Sequence, residues 1–174
     1  WIGPEIQNGN GLLIDERYVL VPASMIPFYP ELAYGKTTLY AVNGIKAKFV
    51  YGSLQMELAV LELSSPIQGM KPAELTSEIE LNKKYEGLAV SDIRNGKSVA
   101  ISFVPDSLTS VKFLPEELPG EYASGSAFWD ENGKLAGILE AEVPETAHII
   151  GFEAIKEFLE HFKAWKESRS QENR

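Results

Sequence analysis

The stretch Thr37–Tyr51, with the sequence TTLYAVNGIKAKFVY, decides the fold class of this chain. Its first six residues are rich in β-branched and aromatic side chains, which favour strands. They end at Asn43-Gly44, a dipeptide that strongly indicates a two-residue hairpin turn. Beyond the turn, Ile45–Tyr51 alternates apolar and polar residues, as a strand with one buried face does. The sequence therefore predicts an antiparallel β-hairpin here.

Similar short runs with turn signals between them continue on both sides of this hairpin. The further predicted strands are Leu12–Ile14, Tyr18–Val21, Leu58–Leu63, Tyr85–Val90, Ser98–Val104, Val111–Leu114, Ala127–Trp129 and Leu135–Leu139. Asn95-Gly96 and Asp130–Gly133 predict two more turns. A stretch around Pro66 and Pro72 has no periodicity, so we expect it to connect two halves. Many short strands with regular turns indicate a β-sandwich or β-barrel body.

From Phe152 onward, the spacing of the apolar residues changes from that of a strand to that of a helix. Apolar residues then recur at steps of three and four, which marks one face of an amphipathic helix. This stripe comprises Phe152, Ile155, Phe158, Leu159, Phe162 and Trp165. We expect the stripe to pack on the β body rather than in a partner's groove, and the polar tail from Ser168 to fray.

Composition excludes several classes of partner and site. The 174 residues carry a net charge of -9, which disfavours binding to nucleic acid or to anionic membrane surfaces. There is no Cys, so disulfides and thiolate metal sites are excluded. No apolar run is long enough to span a bilayer and no signal-peptide pattern is present, and the start at Trp1 is compatible with an excised piece of a longer protein. The sequence leaves the oligomeric state open.

Three segments in a particular order carry a family resemblance. The first is Gly9–Asp15 followed by Tyr18–Ile26, the second is Glu57–Leu61, and the third is Ser124–Ile138, which begins SGSAFW. Together they resemble the motifs of the trypsin-like serine proteases, particularly the bacterial HtrA-like branch. The family motifs are G-S-G-F with a following T-A-A-H, then D-hydrophobic-A-hydrophobic-L, then S-G-G-P.

The resemblance implies an all-β fold of two sequential six-stranded antiparallel β-barrels with a C-terminal α-helix. A single trypsin-like domain would span residues 1–174. Its N-terminal barrel would cover about residues 1–70, its C-terminal barrel about 80–148, and its helix about 151–168.

The resemblance also implies a degenerate catalytic site. Ser124 stands at the position of the nucleophile, but Ser24 replaces the family's histidine and Glu57 its aspartate. A serine hydroxyl cannot act as a general base near neutral pH. Losing the histidine of a studied serine protease costs roughly a millionfold in turnover. We therefore expect these positions not to function in catalysis, and the chain not to be an enzyme.

The loop that forms the oxyanion hole departs from the family as well. The family has G-D-S-G or G-N-S-G where this chain has Tyr122-Ala123-Ser124-Gly125. The glycine's backbone freedom aims its N–H into the hole, and Tyr122 would be strained in that conformation. We expect the loop to take another shape.

The sequence gives little support for another residue that could act as the general base in place of the family's histidine. His148 falls in the second half, away from the histidine's position, and we do not expect it to reach Ser124. His161 lies on the helix, and we expect it to face solvent. Lysines are present, but none forms a recognisable motif with Ser124. Two scattered histidines make a poor metal site, so neither a metal nor a cofactor is expected.

The function predicted from these residues is that of a catalytically inactive trypsin-like module that binds a polypeptide or serves as a scaffold. The cleft between the barrels suits an extended peptide. An aromatic loop with Phe28, Tyr29 and Tyr34, together with Tyr122, is the candidate contact surface. The loop could equally be a lid that packs over the vacated histidine position. Two alternatives stay open: a residual serine hydrolase that uses Ser124, and a purely structural domain whose cleft is filled by its own side chains. The family resemblance implies a bacterial protein in the periplasm or another extracytoplasmic place.

Overall fold

The structure is a computed structural model, and it describes residues 9–26, 40–92, 97–106, 112–113, 124–140 and 147–172. The hairpin predicted around Asn43-Gly44 is present. Asn43 and Gly44 have φ angles of 49° and 79°, which two-residue hairpin turns require. The turn joins strand β3 (Tyr40–Val42) to strand β4 (Ile45–Ser53).

The first sheet holds five strands, all antiparallel. The other three strands are β1 (Leu12–Asp15), β2 (Tyr18–Pro22) and β5 (Leu58–Leu63). Their spatial order is β1-β2-β5-β4-β3. A short 3-10 turn, Ala23–Met25, follows β2 directly.

The second sheet holds six antiparallel strands. They are β6 (Tyr85–Asp92), β7 (Lys97–Phe103), β8 (Lys112–Phe113), β9 (Ala127–Trp129), β10 (Leu135–Glu140) and β11 (His148–Gly151). Their spatial order is β7-β6-β9-β10-β11-β8. The predicted turn at Asp130–Gly133 joins β9 to β10, and Gly133 adopts a φ of 72° there.

The all-β body in two sequential halves, closed by a C-terminal helix, is therefore confirmed. The finer prediction of two closed six-stranded barrels is not met by the described residues. The first sheet has five strands there, and the strand pairings do not join its outer strands β1 and β3. Barrel closure stays a prediction.

The segment between the sheets is held to both of them by backbone hydrogen bonds. The N–H of Ala73 donates to the carbonyl of Leu13 in the first sheet at 2.7 Å. The N–H of Thr76 donates to the carbonyl of Leu135 in the second sheet at 2.9 Å. The proline-rich connection is thus fixed rather than a free linker.

Helix α1 (Phe152–Glu172) buries its apolar stripe against both sheets. One core cluster joins residues of the first sheet, the second sheet and the helix. Its fully or nearly buried members include Leu20, Leu58, Val60, Ile138, Ile150, Ile155 and Phe158. The expectation that the stripe packs on the β body is confirmed. Among the described residues, no helix is long and apolar enough to cross a membrane.

The predicted fraying from Ser168 is wrong, because α1 continues to Glu172. Two serine hydroxyls bond back to the helix: Ser168 to the Trp165 carbonyl at 2.8 Å and Ser170 to the Lys166 carbonyl at 2.9 Å. The Arg169 guanidinium lies 5.3 Å from the centre of the Trp165 ring. These local contacts extend the helix beyond its last buried residue.

Candidate functional site

Ser124 lies on a short segment that leads into β9 and packs against the start of the described chain. The N–H of Asn10 donates to the Ser124 carbonyl at 2.8 Å, and the N–H of Gly125 donates to the Leu139 carbonyl at 2.8 Å. Gly125 has a φ of 83°, and a Cβ built on it would lie 1.8 Å from the Asn10 carbonyl oxygen. Only glycine permits this approach, which leaves Ser124 buried with 7% of its surface exposed.

Ser24 is the central residue of the 3-10 turn after β2, and its surface is exposed. The turn is tied to Glu57, since the N–H of Ala23 donates to the Glu57 carbonyl at 2.8 Å. Gly9 lies between the turn and the Ser124 segment. A Cβ on Gly9 would lie 2.4 Å from the Met25 methyl group and 3.0 Å from the Ser124 carbonyl oxygen. The structure thus brings the backbones around Ser24, Glu57 and Ser124 together.

The Glu57 side chain pairs with a histidine from the opposite half of the molecule. Nε2 of His148 lies 2.8 Å from Oε2 of Glu57, with side chains 22% and 30% exposed. Glu57 closes the turn before β5 with a φ of 56°, a conformation that is uncommon for a residue other than glycine. Sequence reasoning missed this contact. The two residues are 91 positions apart, and no local pattern links them.

Strand β10 lies between His148 and the Ser124 segment. On one side Leu139 is bonded to Gly125 and Ser126, and on the other Glu140 is the register partner of His148. Neighbouring strands lie about 4.8 Å apart, so the backbones of Ser124 and His148 are separated by about 10 Å. That His148 does not reach Ser124 stays a prediction.

Glu140 is a buried acidic residue on β10, opposite His148 on β11. Only 6% of its surface is exposed, and its Oε2 atom has no hydrogen-bond partner among the described residues. Sequence reasoning did not single it out, because Glu140 ends the apolar run Leu135–Leu139 and its position allowed an exposed side chain. The side-chain contact at the candidate site is therefore that of Glu57 with His148, and Glu140 is a buried carboxylate on the neighbouring strand.

Several predicted site residues fall outside the described part of the chain. Tyr122 and Ala123 of the oxyanion loop do so, as do Phe28, Tyr29 and Tyr34 of the aromatic loop. His161 is exposed on α1, as expected. Within the ranges the structure describes, no group of three or more His, Cys, Asp or Glu side chains is arranged to hold a metal ion.

Comparison with known proteins gives matches in structure only. No protein-family model matches the chain, and no curated protein matches it. The active form of the Rv3671c protease from M. tuberculosis matches with a TM-score of 0.63 at 16% identity, over 87% of this chain and 71% of that chain. Deg5 matches with a TM-score of 0.63 at 13% identity, over 86% of this chain and 80% of that chain.

A further match is kallikrein-related peptidase 10, with a TM-score of 0.61 at 15% identity, over 88% of this chain and 89% of that chain. At these identities the likeness establishes the fold alone. The chain has the fold of the trypsin-like serine proteases.

Proposed function

We propose that this chain is a non-catalytic trypsin-like module that binds a polypeptide. The observation that carries the proposal is the pairing of Glu57 with His148. In a working triad the carboxylate orients an imidazole that also reaches the nucleophile. Here the Glu57 carboxylate contacts the imidazole of His148, whose strand lies on the far side of β10 from Ser124. Ser24, at the position of the family's histidine, cannot act as a general base.

Covalent labelling with a fluorophosphonate probe tests the loss of catalysis. The wild-type protein and Ser124→Ala are compared, with active trypsin as the positive control. We expect no labelling of either form, with folding checked by circular dichroism. Labelling of the wild type that disappears in Ser124→Ala would show an activated serine and refute the proposal.

One observation favours the alternative of a residual hydrolase: Glu57 does orient an imidazole. If Ser124 is labelled, His148→Gln decides whether this imidazole is its base. Loss of labelling in both Ser124→Ala and His148→Gln would assign the activity to an unorthodox arrangement of Ser124, His148 and Glu57. Labelling that persists in His148→Gln would require a different base, such as a lysine.

The polypeptide partner is proposed to dock beside the old catalytic positions. Leu54 lies on the turn that ends at Glu57, and 67% of its surface is exposed. Such an apolar side chain at the edge of a cleft suits an extended peptide. Leu81 is the control, because it is also an exposed leucine, at 45%, and it lies in the connection between the sheets, where its neighbour Asn82 donates a hydrogen bond to the Pro105 carbonyl.

Peptides selected from a random library on the immobilised protein provide ligands for this test. Their dissociation constants are then measured by fluorescence anisotropy for the wild type, Leu54→Glu and Leu81→Glu. We expect Leu54→Glu to weaken binding about tenfold or more, in the range of an interface hot spot, and Leu81→Glu to leave it unchanged. The reverse pattern would move the binding surface to the connection between the sheets. A library that yields no binder would favour the purely structural alternative.

The proposal includes two further points that rest on the family resemblance. Each sheet would close into a six-stranded barrel, which an experimental structure would test. The protein would be bacterial and extracytoplasmic, which cell fractionation would test.

A further inference from the structure

We infer that Asn43 is a site of spontaneous deamidation, where the asparagine of the Asn43-Gly44 turn is converted into aspartate and isoaspartate. This inference does not rest on the proposed function, because it concerns the chemistry of a hairpin turn. Five asparagines of the chain directly precede a glycine: Asn8, Asn10, Asn43, Asn95 and Asn132. The structure describes both residues of three of these dipeptides, at 10–11, 43–44 and 132–133, and they differ in how they are hydrogen-bonded.

Deamidation starts with attack by the backbone nitrogen of the following residue on the side-chain amide of asparagine. Here the Gly44 nitrogen gives its proton to hydroxide and bonds to Cγ of Asn43. The side-chain nitrogen takes a proton from water and leaves as ammonia, which closes a succinimide ring. Water then opens the ring. Breaking its bond to the former side-chain carbonyl carbon gives aspartate, and breaking its bond to the backbone carbonyl carbon gives isoaspartate.

The turn at Asn43 exposes both reacting groups. Asn43 and Gly44 are exposed, and none of the backbone hydrogen bonds outside helices and strands among the described residues starts at the N–H of Gly44. Glycine has no Cβ to crowd the attacking nitrogen, and a Cβ built on Gly44 would meet nothing within 4 Å. The nitrogen is therefore accessible to hydroxide and to Cγ of Asn43.

The reaction also needs the turn to open briefly, so that Cγ of Asn43 can rotate onto the nitrogen. Strand β3 has three residues, and among the described strands it pairs with β4 alone at the outer end of the first sheet. Short elements at the edge of a fold open at a low free energy compared with global unfolding. The position of this hairpin thus favours the reactive conformation.

The dipeptide Asn132-Gly133 is equally exposed but is held by hydrogen bonds. The N–H of Gly133 donates to the Asp130 carbonyl at 3.0 Å. The N–H of Asn132 donates to Oδ1 of Asp130 at 2.8 Å. The first of these bonds occupies the nitrogen that would attack, and both resist rotation of the turn. Together they should slow deamidation about tenfold or more.

The dipeptide Asn10-Gly11 is held through its side chain. Nδ2 of Asn10 donates to Oγ of Ser126 at 3.2 Å, and the N–H of Asn10 donates to the Ser124 carbonyl at 2.8 Å. Of the three described dipeptides, we therefore expect Asn43-Gly44 to react fastest.

Deamidation at Asn43 should change the edge of the first sheet. Val42 and Ile45 are register partners across the two-residue turn, and the length of a turn fixes the register of its hairpin. Isoaspartate adds an atom to the backbone of this turn. Because Tyr40 and Val42 of β3 pack against the apolar cluster of the first sheet, isoaspartate should loosen β3 from that cluster.

Incubation of the full chain at mildly alkaline pH in water enriched in heavy oxygen tests the inference. Ring opening takes up one water, so each conversion during the incubation adds a heavy oxygen, which mass spectrometry of proteolytic peptides assigns to a residue. In the folded protein, Asn43 should convert about tenfold or more faster than Asn132, the matched control within the same molecule. In urea both turns are unfolded, and the ratio of the two rates should fall towards one.

A ratio in the folded protein no larger than that in urea would overturn the inference, as would the absence of heavy oxygen at Asn43. Asp130→Ala adds an independent check, with folding confirmed by circular dichroism. It removes the carboxylate that holds the N–H of Asn132, so Asn132 should convert faster while the rate at Asn43 stays the same. An unchanged rate at Asn132 in this variant would contradict the protection assigned to the Asp130 carboxylate.

Discussion

The glycine after Ser124 shows how a single residue positions the candidate site. Gly125 has a left-handed backbone, which disfavours a side chain, and the close approach of the Asn10 carbonyl leaves no room for a Cβ atom. The segment that carries Ser124 can therefore pack against Asn10, just before β1, only with glycine at position 125.

We predict that Gly125→Ala destabilises the fold by about 3 kcal/mol or more, because strain and a steric clash add. Gly133 is a matched control: its φ is 72°, but a Cβ built there meets nothing within 4 Å. Gly133→Ala should cost only the backbone term, about 1 kcal/mol. Urea denaturation measures both, and equal losses for the two variants would contradict the role assigned to the Asn10 contact.

Asp130 organises the turn between β9 and β10 through its carboxylate. Oδ1 accepts hydrogen bonds from the N–H groups of Asn132 at 2.8 Å and Lys134 at 2.9 Å, and Oδ2 accepts one from the Thr76 hydroxyl at 2.9 Å. Desolvation raises the pKa of Asp130, but these hydrogen bonds and the positive charge of Lys83 outweigh it and leave the pKa below its usual value.

A lowered pKa in the folded state stabilises the protein above the unfolded pKa of about 4, and this stabilisation is lost as the pH falls through the folded pKa. We predict that Asp130→Asn costs about 1 kcal/mol at pH 7 and makes the acid-induced loss of stability shallower below about pH 4. Exposed Asp106 supplies the control variant Asp106→Asn, which should change stability by less than about 0.5 kcal/mol. Denaturation curves from pH 7 to pH 2 provide the measurement, and an unaltered acid limb in Asp130→Asn would count against this account.

At the scale of elements, aromatic side chains hold helix α1 against the first sheet. Phe162 is 5% exposed and lies edge-on to Tyr18, with ring centres 5.3 Å apart, and it stacks on Trp165 at 5.7 Å. Lys166 reaches from the same helix to Asp15 at 2.5 Å, and this hydrogen bond holds the pKa of Asp15 below its usual value. Apolar packing and one ion pair thus fix the helix to β1 and β2.

We predict that Phe162→Ala destabilises the protein by about 3–5 kcal/mol, as removal of a buried phenylalanine does elsewhere. The neighbouring Lys163 is exposed, and Lys163→Ala should change stability by less than about 0.5 kcal/mol. Thermal denaturation followed by circular dichroism compares them. A small effect of Phe162→Ala would mean that the helix is not part of the cooperative core.

The elements also show which structural features the sequence could predict and which it could not. Hairpins such as the one at Asn43-Gly44 follow from local turn chemistry and alternation, and the helical stripe from Phe152 follows from its period. The sequence did not predict that α1 continues to Glu172, because its last turns are polar and serine hydroxyls hydrogen-bond back to the helix there. The Glu57–His148 contact was out of reach, because it exists only when two halves distant in sequence are packed together.

At the scale of the whole molecule, the two sheets share an apolar cluster with α1 and should not unfold separately. The cluster that contains Leu58 of β5 and Ile138 of β10 also contains Phe158 of α1, and all three are at most 1% exposed. Each sheet also has an apolar cluster of its own, so we expect the shared cluster to make the two halves unfold as one cooperative unit.

We predict that Leu58→Ala, a substitution in the first sheet, destabilises both sheets equally, by about 2–5 kcal/mol. Amide hydrogen exchange measures the two halves independently, with Val60 of β5 reporting on the first sheet and Leu139 of β10 on the second. Their opening free energies should fall by the same amount if both amides exchange through global unfolding. A decrease confined to Val60 would show that the second sheet stays folded when the first opens. The Glu57–His148 contact would then join two separately stable halves.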